Sequence, residues 1–268
     1  FKSWEKITII QQKNNPVVEI ALVGKYVELK DSYLSVVEAI NHAAIMHKRE
    51  AKISWISAED IETSDIDSFL SKAQGIIIPG GFGDRGLEGM IKTAEYARTQ
   101  NIPYLGLCLG MQIMVIEYAR NVLQINDANS LEIDPETKNP VIAFMPGQEE
   151  VHSTGGTMRL GAYPCILKEN SLAMKVYTES SISERHRHRY EFNNKFREEF
   201  ESNGLLISGT SPDNKLVEIT EVMNHPYMIG SQFHPEFKSR PERPHPLFTL
   251  FIENSMRIKR EGDQHNLF

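Results

Sequence analysis

Runs of apolar residues that end on glycine or proline alternate, through the first half of the chain, with stretches of helical period. Val17-Val18-Glu19-Ile20-Ala21-Leu22-Val23 reads as a buried strand that stops at Gly24. Asp31 then stands where a helix cap is needed, ahead of Leu34, Val37, Ile40 and Ala44 at helical spacing. Lys52 to Ile56 predicts a second strand and Gly75-Ile76-Ile77-Ile78-Pro79 a third, with an acidic segment from Ser57 to Leu70 between them. A glycine-dense turn, Gly80 to Gly86, leads into a helical stretch, Leu87 to Arg98. Ile102 to Leu107 predicts a fourth strand, with Cys108 at its end and a helix from Met111 to Val122 after it. Strand, helix, strand alternation calls for parallel pairing.

Beyond Leu131 the pattern shortens. Up to Thr178, weak strands are punctuated by Pro135, Pro140, Pro146, Gly147, Gly155 and Gly156, which reads as antiparallel hairpins. Leu205 to Ser208, Val217 to Thr220 and Tyr227 to Phe233 are further strands before a closing helix, Pro246 to Arg257. The expected fold is α/β: a doubly wound, mostly parallel sheet with flanking helices and a small antiparallel hairpin insertion.

Composition narrows the functions available. The 268 residues are 40% hydrophobic and 24% charged, which is globular rather than disordered, and a net charge of −7 gives no reason to expect nucleic acid or an anionic membrane as partner. No apolar run approaches the ~20 residues of a membrane span, and Phe1 to Lys6 is not a signal sequence. The two cysteines, Cys108 and Cys165, form no CxxC spacing and fit a reducing compartment. Without a start methionine, the chain reads as a fragment of a longer polypeptide.

Two phosphate-binding patterns fail on inspection. Gly81-Phe82-Gly83-Asp84-Arg85-Gly86 matches GxGxxG between a strand and a helix, but the next strand ends in Cys108 rather than an acidic ribose ligand. Gly24-Lys25 resembles the end of a P-loop, yet Glu19 replaces its first glycine and Tyr26 its metal-binding hydroxyl. Gly106-Leu107-Cys108-Leu109-Gly110 is more informative, having the form of a nucleophile elbow, a tight strand-to-helix turn that lifts one side chain out of the sheet. At a helix N-terminus the macrodipole favours the thiolate over the ~8.5 pKa of free cysteine. A thiol nucleophile needs a base, and His234-Pro235-Glu236 supplies one at the carboxyl end of a strand, with an acid two residues on to orient it. If that strand runs parallel to the one ending in Cys108, both reach the same crevice. The amide of Leu109 and the Gly80-Gly81 turn can donate to an oxyanion. In Arg185-His186-Arg187-His188-Arg189 the interleaved arginines favour an anionic ligand over a metal. His42, His47, His152 and His225 lie in no ligand spacing.

The elbow, His234-Pro235-Glu236 and the order Cys, His, Glu resemble the class I, triad-type glutamine amidotransferases. More narrowly, Pro79 to Gly86, Cys108 to Gln112, Gly155-Gly156-Thr157-Met158-Arg159-Leu160-Gly161, Glu184 to Glu191 and Ser231 to Phe237 are similar to the glutaminase domains of the CTP synthase family, over a span from about Glu19 to Phe251. The resemblance implies that Cys108 attacks the glutamine amide, His234 acts as base and then acid, and Glu236 orients it. It places Gly81, Leu109, Gly110, Met111, Gln112, Glu132, Arg189 and Tyr190 around L-glutamine and its oxyanion. Gly81 and Leu109 stand at the oxyanion, Gln112 and Glu132 at the headgroup, and Arg189 with Tyr190 at the carboxylate end.

By the same resemblance this domain needs neither metal nor cofactor, residues 17–258 form it, 1–16 are a linker from an amino-terminal amidoligase domain, and 259–268 are a tail. The amidoligase aminates UTP with ATP and Mg2+, GTP activates the glutaminase, and the longer enzyme is a cytoplasmic homo-oligomer. No GTP contact maps onto Thr137 to Thr154. The alternatives are a glutaminase subunit of another synthetase and a catalytically silent assembly domain; the intact Cys108, His234 and Glu236 speak against the second.

Overall fold

The computed structural model describes residues 2–11, 13–145 and 158–259. Helix α1 (Lys2–Gln11) lies within the stretch expected as linker, ahead of β1 (Val17–Gly24). Successive side chains of β1 point to opposite faces. Val18, Ile20 and Leu22 pack with α2 (Leu34–Met46), whereas Ala21 and Val23 join the core under the helices of the other face. The buried stripe of α2 is Val36, Ala39, Ile40, Ala43 and Ala44, which keeps Ile40 and Ala44 of the expected series, whereas Val37 is half-buried and Leu34 exposed. Asp31 does not cap it: residues Lys30–Tyr33 form a 3-10 turn that runs directly into the helix.

Strand β2 (Glu50–Ser57) pairs in parallel with β1, and α3 (Ala58–Thr63) and α4 (Asp67–Leu70) occupy the acidic segment before β3 (Gly75–Ile78). The glycine-dense turn then enters α5 (Leu87–Thr99), followed by β4 (Tyr104–Leu107) and α6 (Leu109–Asn121). Between α5 and α6, Arg98 grips the fully buried Glu117 with three bonds of 2.7–3.0 Å.

A second, three-stranded sheet follows, made of β5 (Ala128–Ser130), β6 (Asn139–Phe144) and the later β9 (Tyr190–Phe192). Its β5–β6 pair is parallel and only β6–β9 antiparallel, so this small sheet is not a simple hairpin. The hairpin lies elsewhere: β7 (Arg159–Leu167) and β8 (Ser181–His188), linked through α7 (Leu172–Tyr177), pair antiparallel at one edge of the main sheet. After α8 (Arg197–Ser202), β10 (Leu205–Thr210) and β11 (Val217–Val222) form a second antiparallel pair; β12 (Met228–Ser231) returns beside β4, and α9 (Pro246–Ser255) closes the domain.

Among the described residues the main sheet has the order β2-β1-β3-β4-β12-β11-β10-β7-β8. The first five strands of that order are mutually parallel and the rest antiparallel. Helices cover both faces, with α3, α5 and α6 on one and α2 and α9 on the other. Parallel pairing of β4 with β12 has one consequence for chemistry: it brings Cys108 and His234, which follow these strands, to the same edge. Pro146, Gly147, His152 and Gly155-Gly156-Thr157 lie outside the described residues, as do residues 260–268 of the tail.

Candidate active site

Cys108 caps α6 in a conformation that L residues rarely adopt, φ 52° and ψ −98°. Such a backbone costs on the order of 1–3 kcal/mol and persists only where its surroundings fix it. They do so closely. A Cβ at Gly106 would lie 2.6 Å from the Gly110 carbonyl group, and one at Gly110 only 2.1 Å from the Ile78 carbonyl oxygen, so both flanking glycines are required by contact. The Cys108 amide donates to the Ser231 carbonyl at 2.7 Å, tying the elbow to β12.

His234 follows that strand, and its amide donates to the Arg185 carbonyl at 2.8 Å. An extended chain is not what aims Glu236 at it. Residues Pro235–Lys238 form a 3-10 turn, which curls Glu236 back so that its Oε1 meets His234 Nδ1 at 2.7 Å. That bond leaves Nε2 to face Cys108. Burial lowers the basicity of the ring, but the Glu236 charge, then the Cys108 charge and hydrogen bonds to both, raise the His234 pKa to about 11. The ring is thus held as imidazolium beside the Cys108 sulfur. Phe237 stacks on the ring at 5.4 Å, and a Cβ at Gly80 would come within 2.9 Å of it.

Two cavities meet at Cys108. The larger, about 350 Å3, is lined by Tyr26, Tyr33, Gly80, Arg187, His234 and Glu236. The smaller, about 30 Å3, is lined by Gly81, Phe82, Gln112, Glu132, Arg189 and Tyr190 around the same Cys108. Five of the eight residues expected to surround substrate thereby share one cavity with the nucleophile. Leu109, Gly110 and Met111 form the first turn of α6, and Leu109 packs against the position of Gly81, where a Cβ would lie 3.2 Å from its methyl.

Other side chains at the site carried no signal that sequence reasoning used. Gln232 is fully buried, with Nε2 3.6 Å from Cys108 Sγ, and its Oε1 accepts from Gln112 Nε2 at 3.2 Å. Gln112 also donates to the Tyr190 carbonyl at 3.1 Å. Lys25, dismissed as part of a failed P-loop, is buried and donates Nζ to the carbonyls of Phe82 and Gly83, while Glu132 accepts from the Gly83 amide at 3.0 Å. The glycine turn is therefore held from both sides. Burial lowers the Lys25 pKa against the opposing pull of Glu132 and Asp84. Along β8 the arginines and histidines separate by face: His186 and His188 turn inward, Arg185 and Arg187 outward. Among the described residues no group of three His, Cys, Asp or Glu side chains is placed to hold a metal ion, and no helix is long and apolar enough to cross a membrane.

The model of the class-I glutamine amidotransferase family matches residues 28–254. The chain is 55% identical over 264 residues to the CTP synthase of Dehalococcoides mccartyi, covering 98% of this chain and 48% of that protein. It is 53% identical over 256 residues to the CTP synthase of Bacillus subtilis, again covering 48% of it. It spans about half the length of these curated relatives. A solved glutaminase domain of Trypanosoma brucei CTPS with bound acivicin superposes with a TM-score of 0.84 at 36% identity, covering 90% of this chain and 95% of that one. The chain belongs to the class-I glutamine amidotransferases, and within them to the glutaminase domains of CTP synthases.

Proposed function

We propose that the chain hydrolyses L-glutamine through a Cys108 thioester and delivers the ammonia to an amino-terminal synthase domain, which aminates UTP to CTP. The observation that carries this reading is the placement of one strained cysteine between a His–Glu pair and a cavity lined by Gly81, Gln112, Glu132, Arg189 and Tyr190. The Cys108 thiolate attacks the side-chain amide carbon, and the oxygen, now negative, is met by the amides of Leu109 and Gly81. As the tetrahedral carbon collapses, the C–N bond breaks and His234 gives its Nε2 proton to the departing nitrogen, which leaves as ammonia. Neutral His234 then takes a proton from water, hydroxide attacks the thioester, and glutamate leaves with the thiolate–imidazolium pair restored. Glu236 holds Nδ1 throughout and compensates the charge on the ring.

Gln112 and Glu132 bind the glutamine headgroup, Arg189 and Tyr190 its carboxylate end, and Gly110 with Met111 forms the wall beside the nucleophile. A space of about 30 Å3 holds a water or two, not an amino acid. Glutamine entry therefore has to widen it. A free catalytic thiol suits a reducing cytoplasm. In the longer enzyme ATP with Mg2+ acts at the synthase domain, GTP activates the glutaminase, residues 1–16 link the two domains, and the polypeptide is a homo-oligomer.

The test is glutamate release from glutamine by the parent chain and by Cys108→Ala, His234→Ala and Glu236→Ala. Cys108→Ala abolishes release, His234→Ala lowers it by several orders of magnitude and Glu236→Ala by less. Release that survives Cys108→Ala would sink the thioester mechanism, and a larger loss from Glu236→Ala than from His234→Ala would reverse the roles given to the pair.

A further inference from the structure

Two buried side-chain amides stand beside the nucleophile, and the reaction above gives a part to only one of them. Gln112 lies four residues after Cys108, on the same face of α6. Gln232 follows β12 and is fully enclosed, and its backbone amide donates to the Glu218 carbonyl at 2.8 Å. Burying a primary amide costs free energy unless its donors and acceptor are used, so an apolar side chain of the same size would be cheaper there.

Which end of each amide faces which neighbour follows from one backbone group. The Tyr190 carbonyl can only accept, so the Gln112 atom 3.1 Å from it is the nitrogen. The second hydrogen of that nitrogen goes to Gln232, 3.2 Å away, which must present its oxygen. A reversed Gln232 would set donor against donor. Its Nε2 is thereby turned to Cys108, where it donates to Sγ at 3.6 Å. The Arg187 carbonyl, an acceptor, stands 3.9 Å from the same sulfur. A neutral thiol can donate to that carbonyl, whereas a thiolate cannot and needs donors instead. Gln232 supplies one and His234 another.

We propose that Gln232 is a catalytic residue: it donates Nε2–H to Cys108 Sγ and so favours the thiolate, while its Oε1 anchors the Gln112 amide at the glutamine cavity. The part in turnover rests on the glutamine-hydrolysing reading; the bond to sulfur does not. In that reaction the sulfur is charged before it attacks and again when glutamate leaves, and carries no charge in the thioester between. A fixed neutral donor suits both charged stages. An amide has no proton to give up, so Gln232 does not compete with His234 for protonation of the departing nitrogen. Gln112, with both hydrogens spent, keeps only its oxygen for the glutamine headgroup.

Iodoacetamide, which forms a carbon–sulfur bond with a thiolate and releases iodide, tests the donor without glutamine. The rate of Cys108 alkylation, followed by peptide mapping, is measured against pH in the parent, Gln232→Met and Gln232→Glu. Methionine keeps the length of glutamine but neither end of its amide; glutamate keeps an oxygen for Gln112 and loses the donor to sulfur. Charged groups around the sulfur, His234 with Glu236 after β12, Arg187 and His188 on β8, Glu191 on β9 and Glu132, are unchanged in both variants. The midpoint of the rate rises by about one pH unit in Gln232→Met and by at least as much in Gln232→Glu. A midpoint unmoved in Gln232→Met would overturn the donor. Glutamine kinetics test the rest. Both variants lose about tenfold in kcat, but KM rises about fivefold in Gln232→Met and stays within about twofold in Gln232→Glu. An unchanged kcat in Gln232→Met would remove Gln232 from the catalytic machinery, and a KM unchanged there, or raised equally in Gln232→Glu, would overturn the anchor. Circular dichroism checks folding; if the buried charge unfolds Gln232→Glu, Gln232→Met alone decides both points. If the parent releases no glutamate, the functional reading fails while the alkylation midpoint still decides the bond to sulfur.

Discussion

Cys108 and Cys165 are both buried thiols, and the backbone separates them. Cys108 sits at φ 52° on the elbow facing two cavities, whereas Cys165 lies in mid-strand on β7, fully enclosed, with burial pushing its pKa up. A glutamine-derived diazo-ketone is accordingly expected to modify Cys108 and spare Cys165, as read by peptide mapping; equal labelling would count against the assignment. His234 gives a pH signature. Its folded pKa of about 11 exceeds the unfolded value of about 6.5, so the native state holds the proton more tightly and stability falls as pH rises between the two. The stability that the parent has over His234→Gln is full below about pH 6.5 and is lost as pH passes through about 11, a trend that urea midpoints across this range would show. These residues were legible because a glycine on each side of a cysteine and an acid two places after a histidine are local patterns. Gln232 and Lys25 were not, because their places depend on which strand lies beside which.

Elements were easiest to read where each buries its own stripe. The parallel strands β1, β3 and β4 match their apolar runs because both faces of the sheet are covered, so the runs are nearly continuous. Strand β8 escaped notice for the opposite reason: its outward residues are Ser181, Ser183, Arg185 and Arg187, and its inward ones include Glu184, His186 and His188, so hydropathy alternates hardly at all. What makes it a strand is register with β7, a contact no local pattern shows. The α5–α6 pair offers a test of element packing. Removing the guanidinium by Arg98→Ala leaves the buried Glu117 with, among the described residues, only Asn121 as a side-chain donor at 3.1 Å, and should cost roughly 3–5 kcal/mol in urea unfolding. The double variant Arg98→Met with Glu117→Leu should recover most of that loss, since no charge is then stranded. If the double variant is as unstable as the single one, the ion pair is not what joins these helices.

At the scale of the molecule, the parallel half of the sheet delivers Cys108 and His234 to one edge, and β8 of its antiparallel half, with β9 of the small sheet, adds walls to the cavities beside them. Strand β8 brings Arg187 to one cavity, and the junction of β8 with β9 brings Arg189 and Tyr190 to the other. Cys108 stands between them and lines both. This arrangement predicts a division of labour that a chimera can test, with this chain replacing the matching half of the Bacillus subtilis relative, 48% of which it spans. The chimera should form CTP from either glutamine or ammonium. Cys108→Ala takes away the thiol but disturbs little of the fold, because alanine is smaller than cysteine and the elbow is set by Gly106 and Gly110. Free ammonia needs no thioester, so the variant should keep CTP formation from ammonium at elevated pH, where more of it is uncharged, and lose formation from glutamine. CTP measured with each nitrogen source, alongside circular dichroism to confirm folding, decides the matter. Loss of the ammonium-dependent reaction in a folded Cys108→Ala chimera would mean that this chain does more than supply nitrogen, and the boundary drawn between the two halves would have to move.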